Sequence, residues 1–267
     1  RQLDPGSVPN VKTDIYIGTI LLERNRWTRE KKPTYLVSEW IPRFAEAGFD
    51  GMELWENHAA LASSTELKLL QESGLPITVF NSYAAFDAEG EAAREEAVRL
   101  TSFVNARAVK FNLGKEAGEK DLYIENALKW KQQLPPGTRL LCECHAGTIM
   151  EDPKVAKEVF AAWEDKAFQA IIHPFTTDLP VLREWFAHLG PRITHAHVQL
   201  RDASGTMQRL ERQPEEVGNA LRLMKEEGFC GSFTLEFTEG TRAPSESVEQ
   251  LFTSAVADLH FLREHWT

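Results

Sequence analysis

Ser232-Phe-Thr-Leu-Glu236-Phe and, earlier in the chain, Arg139-Leu-Leu-Cys-Glu143-Cys-His145 are built alike: a short apolar run that delivers a carboxylate. Between them stand Ala170-Ile-Ile-His173-Pro and Ile193-Thr-His195-Ala-His197-Val-Gln199-Leu. Four successive runs with the composition of buried strands each carry a metal-ligand side chain at or near the C-terminal end. Carboxylates and imidazoles are costly to bury alone. Four such placements in a row therefore point to one shared polar site.

The same pattern extends outward along the chain. Strand-like segments fall near 13–20, 50–55, 76–81, 106–112, 138–144, 168–173, 193–200 and 232–237. Each is short, rich in Ile, Val, Leu or Phe, and not cleanly alternating, as parallel strands covered on both faces are. Helix-like segments follow near 33–47, 62–73, 87–104, 119–134, 152–164, 178–188, 213–227 and 244–265. Pro42 is expected to kink the first of them. Gly48, Gly74, Gly137 and Gly228 precede strands, where the turn favours a left-handed residue. Eight strand–helix units predict a single-domain (β/α)8 TIM barrel over residues 13–267. Residues 1–12, with two prolines and no periodicity, read as a flexible arm. A doubly wound sheet is the alternative, but Ile17-Gly-Thr-Ile is not the Gly-rich turn that it would carry.

In such a barrel the chemistry sits at the C-terminal ends of the strands. Glu143, His173, Gln199 and Glu236 fall there on strands five to eight. No apolar run approaches the length of a membrane span, so no membrane partner is expected. A formal charge of −10 argues against a nucleic-acid partner. Cys142, Cys144 and Cys230 are too few for a disulfide framework and read as reduced packing residues. The expected compartment is the cytoplasm, although a removed signal peptide would leave no trace. Self-association into a homo-oligomer is left open.

Taken together, these segments resemble the xylose-isomerase-like barrels, which include sugar isomerases and epimerases, hydroxypyruvate isomerase and endonuclease IV. Gly48-Phe-Asp-Gly-Met-Glu53-Leu is similar to the second strand of that superfamily. Glu143 matches its fifth-strand glutamate, and Glu236 its eighth. His197-Val-Gln199-Leu-Arg-Asp202 looks like the seventh strand of hydroxypyruvate isomerases, where glutamine replaces a histidine ligand. The resemblance implies a divalent metal held by Glu143, His173, Gln199 and Glu236, with the two glutamates moving protons on either side of a substrate. One departure stands out. The sixth strand should end in Asp-Pro-x-His, and here it reads His173-Pro-Phe-Thr176. A neutral imidazole in place of a carboxylate shifts the expected ion towards Mn2+, with Zn2+, Co2+, Fe2+ and Mg2+ as alternatives.

Other residues have two readings each. His145 shares the strand face of Glu143 and is a candidate for substrate binding or support of the ligands. His197 lies one layer deeper than Gln199. Ligand chemistry alone favours the histidine; the resemblance favours Gln199. His195 reads as structural. Lys110, with Asn112 at the end of strand four, is either an ion-pair partner for a glutamate or a substrate contact. Trp55 and Trp27 offer aromatic faces, and Arg209 and Arg242 suit an anionic group. The expected activity is a metal-dependent isomerase or epimerase of a small sugar-like hydroxy-carbonyl compound, with Glu143 and Glu236 as base and acid. A lyase or dehydratase, an endonuclease IV-like phosphodiesterase and a non-catalytic barrel are the rivals.

Overall fold

The computed structural model describes residues 12–266. Eight strands run parallel in sequence order: β1 Ile15–Gly18, β2 Gly51–Trp55, β3 Ile77–Asn81, β4 Ala108–Phe111, β5 Arg139–Glu143, β6 Phe168–Ile172, β7 Ile193–Val198 and β8 Ser232–Leu235. The sheet closes on itself where β1 pairs with β8, Tyr16 opposite Thr234. The connections carry α1 Val37–Ala47, α2 Glu56–Ala60, α3 Ser64–Gln71, α4 Glu91–Phe103, α5 Lys120–Gln133, α6 Pro153–Trp163, α7 Leu179–Leu189, α8 Pro214–Glu226 and α9 Val248–His265. In α6 the buried residues are Ala156, Val159, Phe160 and Trp163, the spacing of one helical face laid on a sheet.

The two faces of each strand do different work. Leu140, Cys142, Ala170, Ile172, Ala196, Val198, Phe233 and Leu235 belong to the large apolar layer shared with the helices. Tyr16, Val79, Ala108, Leu141 and Ile171 form a separate small cluster inside the barrel. Further along the same strand faces come Glu53, Lys110, Glu143, His197 and Glu236, all buried. The lumen is thus apolar towards the N-terminal ends of the strands and polar towards the C-terminal ends. Burying a Leu or Ile side chain contributes about 1.5–3 kcal/mol. That apolar plug therefore gives the polar layer above it a rigid floor.

Several expectations change in detail. Between β2 and the expected second helix stands a further short helix, α2. The first helix runs through Pro42 to Ala47, so the proline removes one hydrogen bond near its start without ending it. Gly48, Gly137 and Gly228 are left-handed, with φ of 101°, 85° and 83°, whereas Gly74 is not among the residues with positive φ. Cys142 and Cys144 are buried, but Cys230 is exposed and is not a packing residue. The proposed arm lies, apart from Lys12, outside the described residues. Lys12 itself pairs with Asp50 at 2.9 Å.

Candidate metal-binding active site

Glu143, at the end of β5, is the hub. Its Oε1 lies 3.2 Å from His173 Nε2, 3.7 Å from His197 Nδ1 and 3.9 Å from His145 Nε2. Its Oε2 lies 3.5 Å from Lys110 Nζ and accepts from Asn112 Nδ2 at 3.4 Å. Burial alone would raise the carboxyl of Glu143. The ammonium of Lys110 and the rings of His173 and His197 outweigh it and hold the group well below the ordinary range. Burial likewise opposes the charge on Lys110, but Tyr83, Glu143, Glu53 and Glu236 together keep its ammonium above the usual lysine value.

His197 joins the two halves of the site. Its Nε2 is 3.0 Å from Glu53 Oε2, and its Nδ1 faces both Glu143 Oε1 and Glu236 Oε2 at 3.7 Å. Burial opposes protonation of this ring, yet Glu53, Glu236 and Glu143 hold it well above the ordinary histidine value. Nδ1 is buried and makes no hydrogen bond. A buried ring nitrogen without a hydrogen bond, aimed at two carboxylates, fits a cation site, where the incoming ion would displace its proton. Glu143, His173 and His197 each place a ligand atom within 4.8 Å of the other two. Their nitrogen and oxygen donors fit a divalent transition ion, with Glu236 beside them. Glu53 then fixes the tautomer of His197 from behind, as carboxylates behind histidine ligands do.

Gln199 is placed differently from a simple ligand. Its Nε2 donates to Glu236 Oε2 at 3.0 Å, and its Oε1 accepts from Arg201 Nε and Nη2 at 3.2 and 3.1 Å. The oxygen that a metal would need is therefore held by Arg201, and the amide must turn to bring it inward. His195, one layer down, has hydroxyl partners on both nitrogens, Ser232 and Thr234, each at 2.8 Å. Burial, with His197 close by, holds it well below the usual histidine value, so it stays neutral.

Glu143 and Glu236 share the floor of a cavity of 460 Å³ lined also by Trp27, Tyr83, Phe86, Asn112, His145, Thr148 and Phe237. His145 stands half-exposed in its wall, edge-on to His173 with ring centres 5.7 Å apart. A larger hollow of 1190 Å³ opens at the opposite end of the barrel, around Tyr16, Arg139 and Trp266, and contains none of the candidate ligands. Two predicted substrate contacts lie elsewhere. Trp55 is buried, its ring 5.1 Å from that of His58, and Arg209 binds Ser254 at 3.1 Å and reaches Glu211 and Glu239. Sequence reading missed Tyr83, whose ring lies 3.8 Å from Lys110 Nζ, and Arg201. Both sit in loops just beyond a strand, where no periodicity marks a side chain as part of a site.

The chain shares the closed-barrel fold of the xylose-isomerase-like barrels. It is similar along 96% of its length to all of a probable 3-DHS dehydratase, AsbF, from Bacillus anthracis, at 15% identity and a TM-score of 0.67. A xylose isomerase-like barrel from Mycobacterium smegmatis, in complex with magnesium, matches 96% of this chain over 98% of its own, at 16% identity and a TM-score of 0.65. The 3-keto-D-glucoside 4-epimerase YcjR of E. coli matches 95% of this chain over all of its own, at 14% identity and a TM-score of 0.64. No family model and no curated protein matches the sequence.

Proposed function

We propose that the protein is a divalent-metal-dependent isomerase or epimerase that moves a proton at a carbon beside a carbonyl. The observation that carries this reading is the placement of Glu143 and Glu236, which both line one cavity, about one ring nitrogen, His197 Nδ1. Glu143, His173 and His197 would hold the ion, with Glu236 and, after its amide turns, Gln199 completing the set. When bound, the ion supplies Lewis-acid stabilisation of the oxygen charge that develops as the proton leaves. Lys110 and Asn112 keep Glu143 ionised and fix one of its oxygens, so the other is aimed inward. Glu236 would take the substrate proton on one side, and Glu143 or water would return it. His145, in the cavity wall, would contact the substrate.

Solvent deuterium exchange into a panel of ketoses and hydroxy-aldehydes, with protein loaded with Mn2+, tests the reading. Label appearing beside the carbonyl supports it, and its absence across the panel refutes it. A second reading is a dehydratase, favoured by half-exposed His145 beside the cluster, a group able to protonate a leaving hydroxyl. Loss of water from the same substrates would select it.

A further inference from the structure

Asp258 lies on the buried face of α9 and is 2% exposed. Aspartate is seldom buried that far, and when it is, both of its oxygens need donors. Here the two donors come from two different loops. Oδ1 accepts from the backbone N–H of Leu210, 2.8 Å away, in the segment between β7 and α8. Oδ2 accepts from Thr238 Oγ1, 2.7 Å away, in the segment between β8 and α9. Leu210 and Thr238 are themselves 0% exposed. One turn earlier on α9, the buried Ser254 accepts from Arg209 Nε at 3.1 Å, so the same helix holds the first segment twice.

Both segments begin at the candidate site. Thr238 stands two residues beyond Glu236, whose own backbone N–H bonds Val198 O at 3.0 Å. Leu210 follows a small hairpin that starts just after Gln199. In it Arg201 bridges to Met207, and the N–H of Gln208 bonds Leu200 O at 2.8 Å. The same two segments meet a second time inside the site. Arg201 donates to Gln199 Oε1, and Gln199 Nε2 donates to Glu236 Oε2. The contacts therefore close a ring: Asp258 to Leu210, through the hairpin to Arg201, to Gln199, to Glu236, along the chain to Thr238, and back to Asp258. In a closed ring, the spacing held at one side limits the spacing at the other. Gln199 and Glu236 form the side that belongs to the site, and Asp258 forms the side fixed to a helix.

We propose that Asp258 is a positioning residue for the active site: touching neither ion nor substrate, it sets how Glu236 stands against Gln199 by fastening their two loops to α9. The inference rests on the proposed function in taking Glu236 as part of the reactive site. A carboxylate suits the task because it only accepts, and both of its partners donate. Asparagine can hold the same two loops, with its oxygen on Leu210 N–H and its amide donating to Thr238 Oγ1. Alanine can hold neither.

The test reads the Gln199–Glu236 hydrogen bond directly, in folded metal-free protein well below its melting temperature. Proton–nitrogen spectra show the side-chain amide of Gln199, assigned by its loss in Gln199→Met. Asp258→Ala should move that signal towards the position of an exposed glutamine, and Asp258→Asn should return it. Thr238→Val keeps the shape of the side chain but drops one of the two fastenings. It should act in the same direction, which keeps the test open if Asp258→Ala does not fold, and Thr238→Ser should leave the signal in place. A Mn2+ titration of the same proteins should show affinity about tenfold weaker in Asp258→Ala and Thr238→Val, the lower end for groups that support a metal ligand. An unmoved Gln199 signal, unchanged Mn2+ affinity in both loosened variants, or no rescue by Asp258→Asn would each overturn the proposal. A wild-type protein that binds no Mn2+, with the Gln199 signal responding as expected, would sink the metal-dependent reaction while leaving this positioning role standing.

Discussion

Replacing Lys110 by Met keeps an unbranched side chain, one atom shorter, and removes its charge from a buried pair: the lysine side chain is 0% and the glutamate side chain 4% exposed. Two unit charges 3.5 Å apart attract by about 5 kcal/mol at an effective dielectric of 20. Removing one partner of a buried pair typically costs about 3–5 kcal/mol, because the other charge is left uncompensated. Here His173 at 3.2 Å and His197 at 3.7 Å still face Glu143, so the lower end, about 3 kcal/mol, is expected. Urea unfolding of metal-free protein at pH 7 measures it. The sign with pH follows from the lowered carboxyl of Glu143. Its stabilisation is present above the unfolded value, near 4.5, and is lost as pH falls through the lower folded value. In the variant the folded value moves up, so wild type and variant should converge below that pH. Mn2+ should recover more stability in the variant, since a cation then replaces the missing ammonium beside Glu143. Equal stability of the two proteins at pH 7 without metal, or a gap that persists unchanged into acid, would refute the account of Lys110 as the group that holds Glu143 ionised.

Three further outcomes follow from the same geometry. Glu143→Gln and Glu236→Gln should each retain the barrel by circular dichroism and lower deuterium exchange by roughly 10²-fold or more, with metal content measured alongside to separate loss of the base from loss of the ion. His173→Ala should weaken Mn2+ binding in a direct titration by tenfold or more; unchanged affinity would remove it from the ligand set. Asp258 of α9, buried while accepting from Leu210 N at 2.8 Å and Thr238 Oγ1 at 2.7 Å, is pushed up to about 7, chiefly by burial. A raised carboxyl contributes stability below its unfolded value that is lost as pH rises through the folded one, roughly 4 kcal/mol at most for a shift of this size. Asp258→Asn should therefore flatten stability between pH 3.8 and about 7, and a variant with the wild-type slope would exclude Asp258 as its source.

Much of this protein was written in its local sequence. Apolar runs such as Arg139–Glu143 and Ser232–Leu235 can only be short buried strands, and the helical segments between them leave each strand parallel to the last. That alternation favoured a closed barrel over a doubly wound sheet, and the polar residues ending runs five to eight pointed to one end of it as the candidate site. Strand parity set His197 and Gln199 in successive layers of one face, and the structure puts Cys142 and Val198 in the apolar layer under the helices. What periodicity does not contain is the rotation of a side chain about its own bonds once neighbours from distant strands arrive. Gln199 turns its oxygen to Arg201 and its amide to Glu236, and His197 bridges Glu53 and the two glutamates; both depend on partners that the fold alone brings close. Trp55 and Arg209 look like site residues in the chain, but three-dimensional neighbours claim them first, His58 for one, Ser254 and Glu239 for the other. Tyr83 is the reverse case. It stands in the loop just beyond β3, so only the tertiary structure puts its ring at the cavity and beside Lys110. Strands are specified by short-range pattern, whereas the contents of a pocket are specified by which loops meet above it.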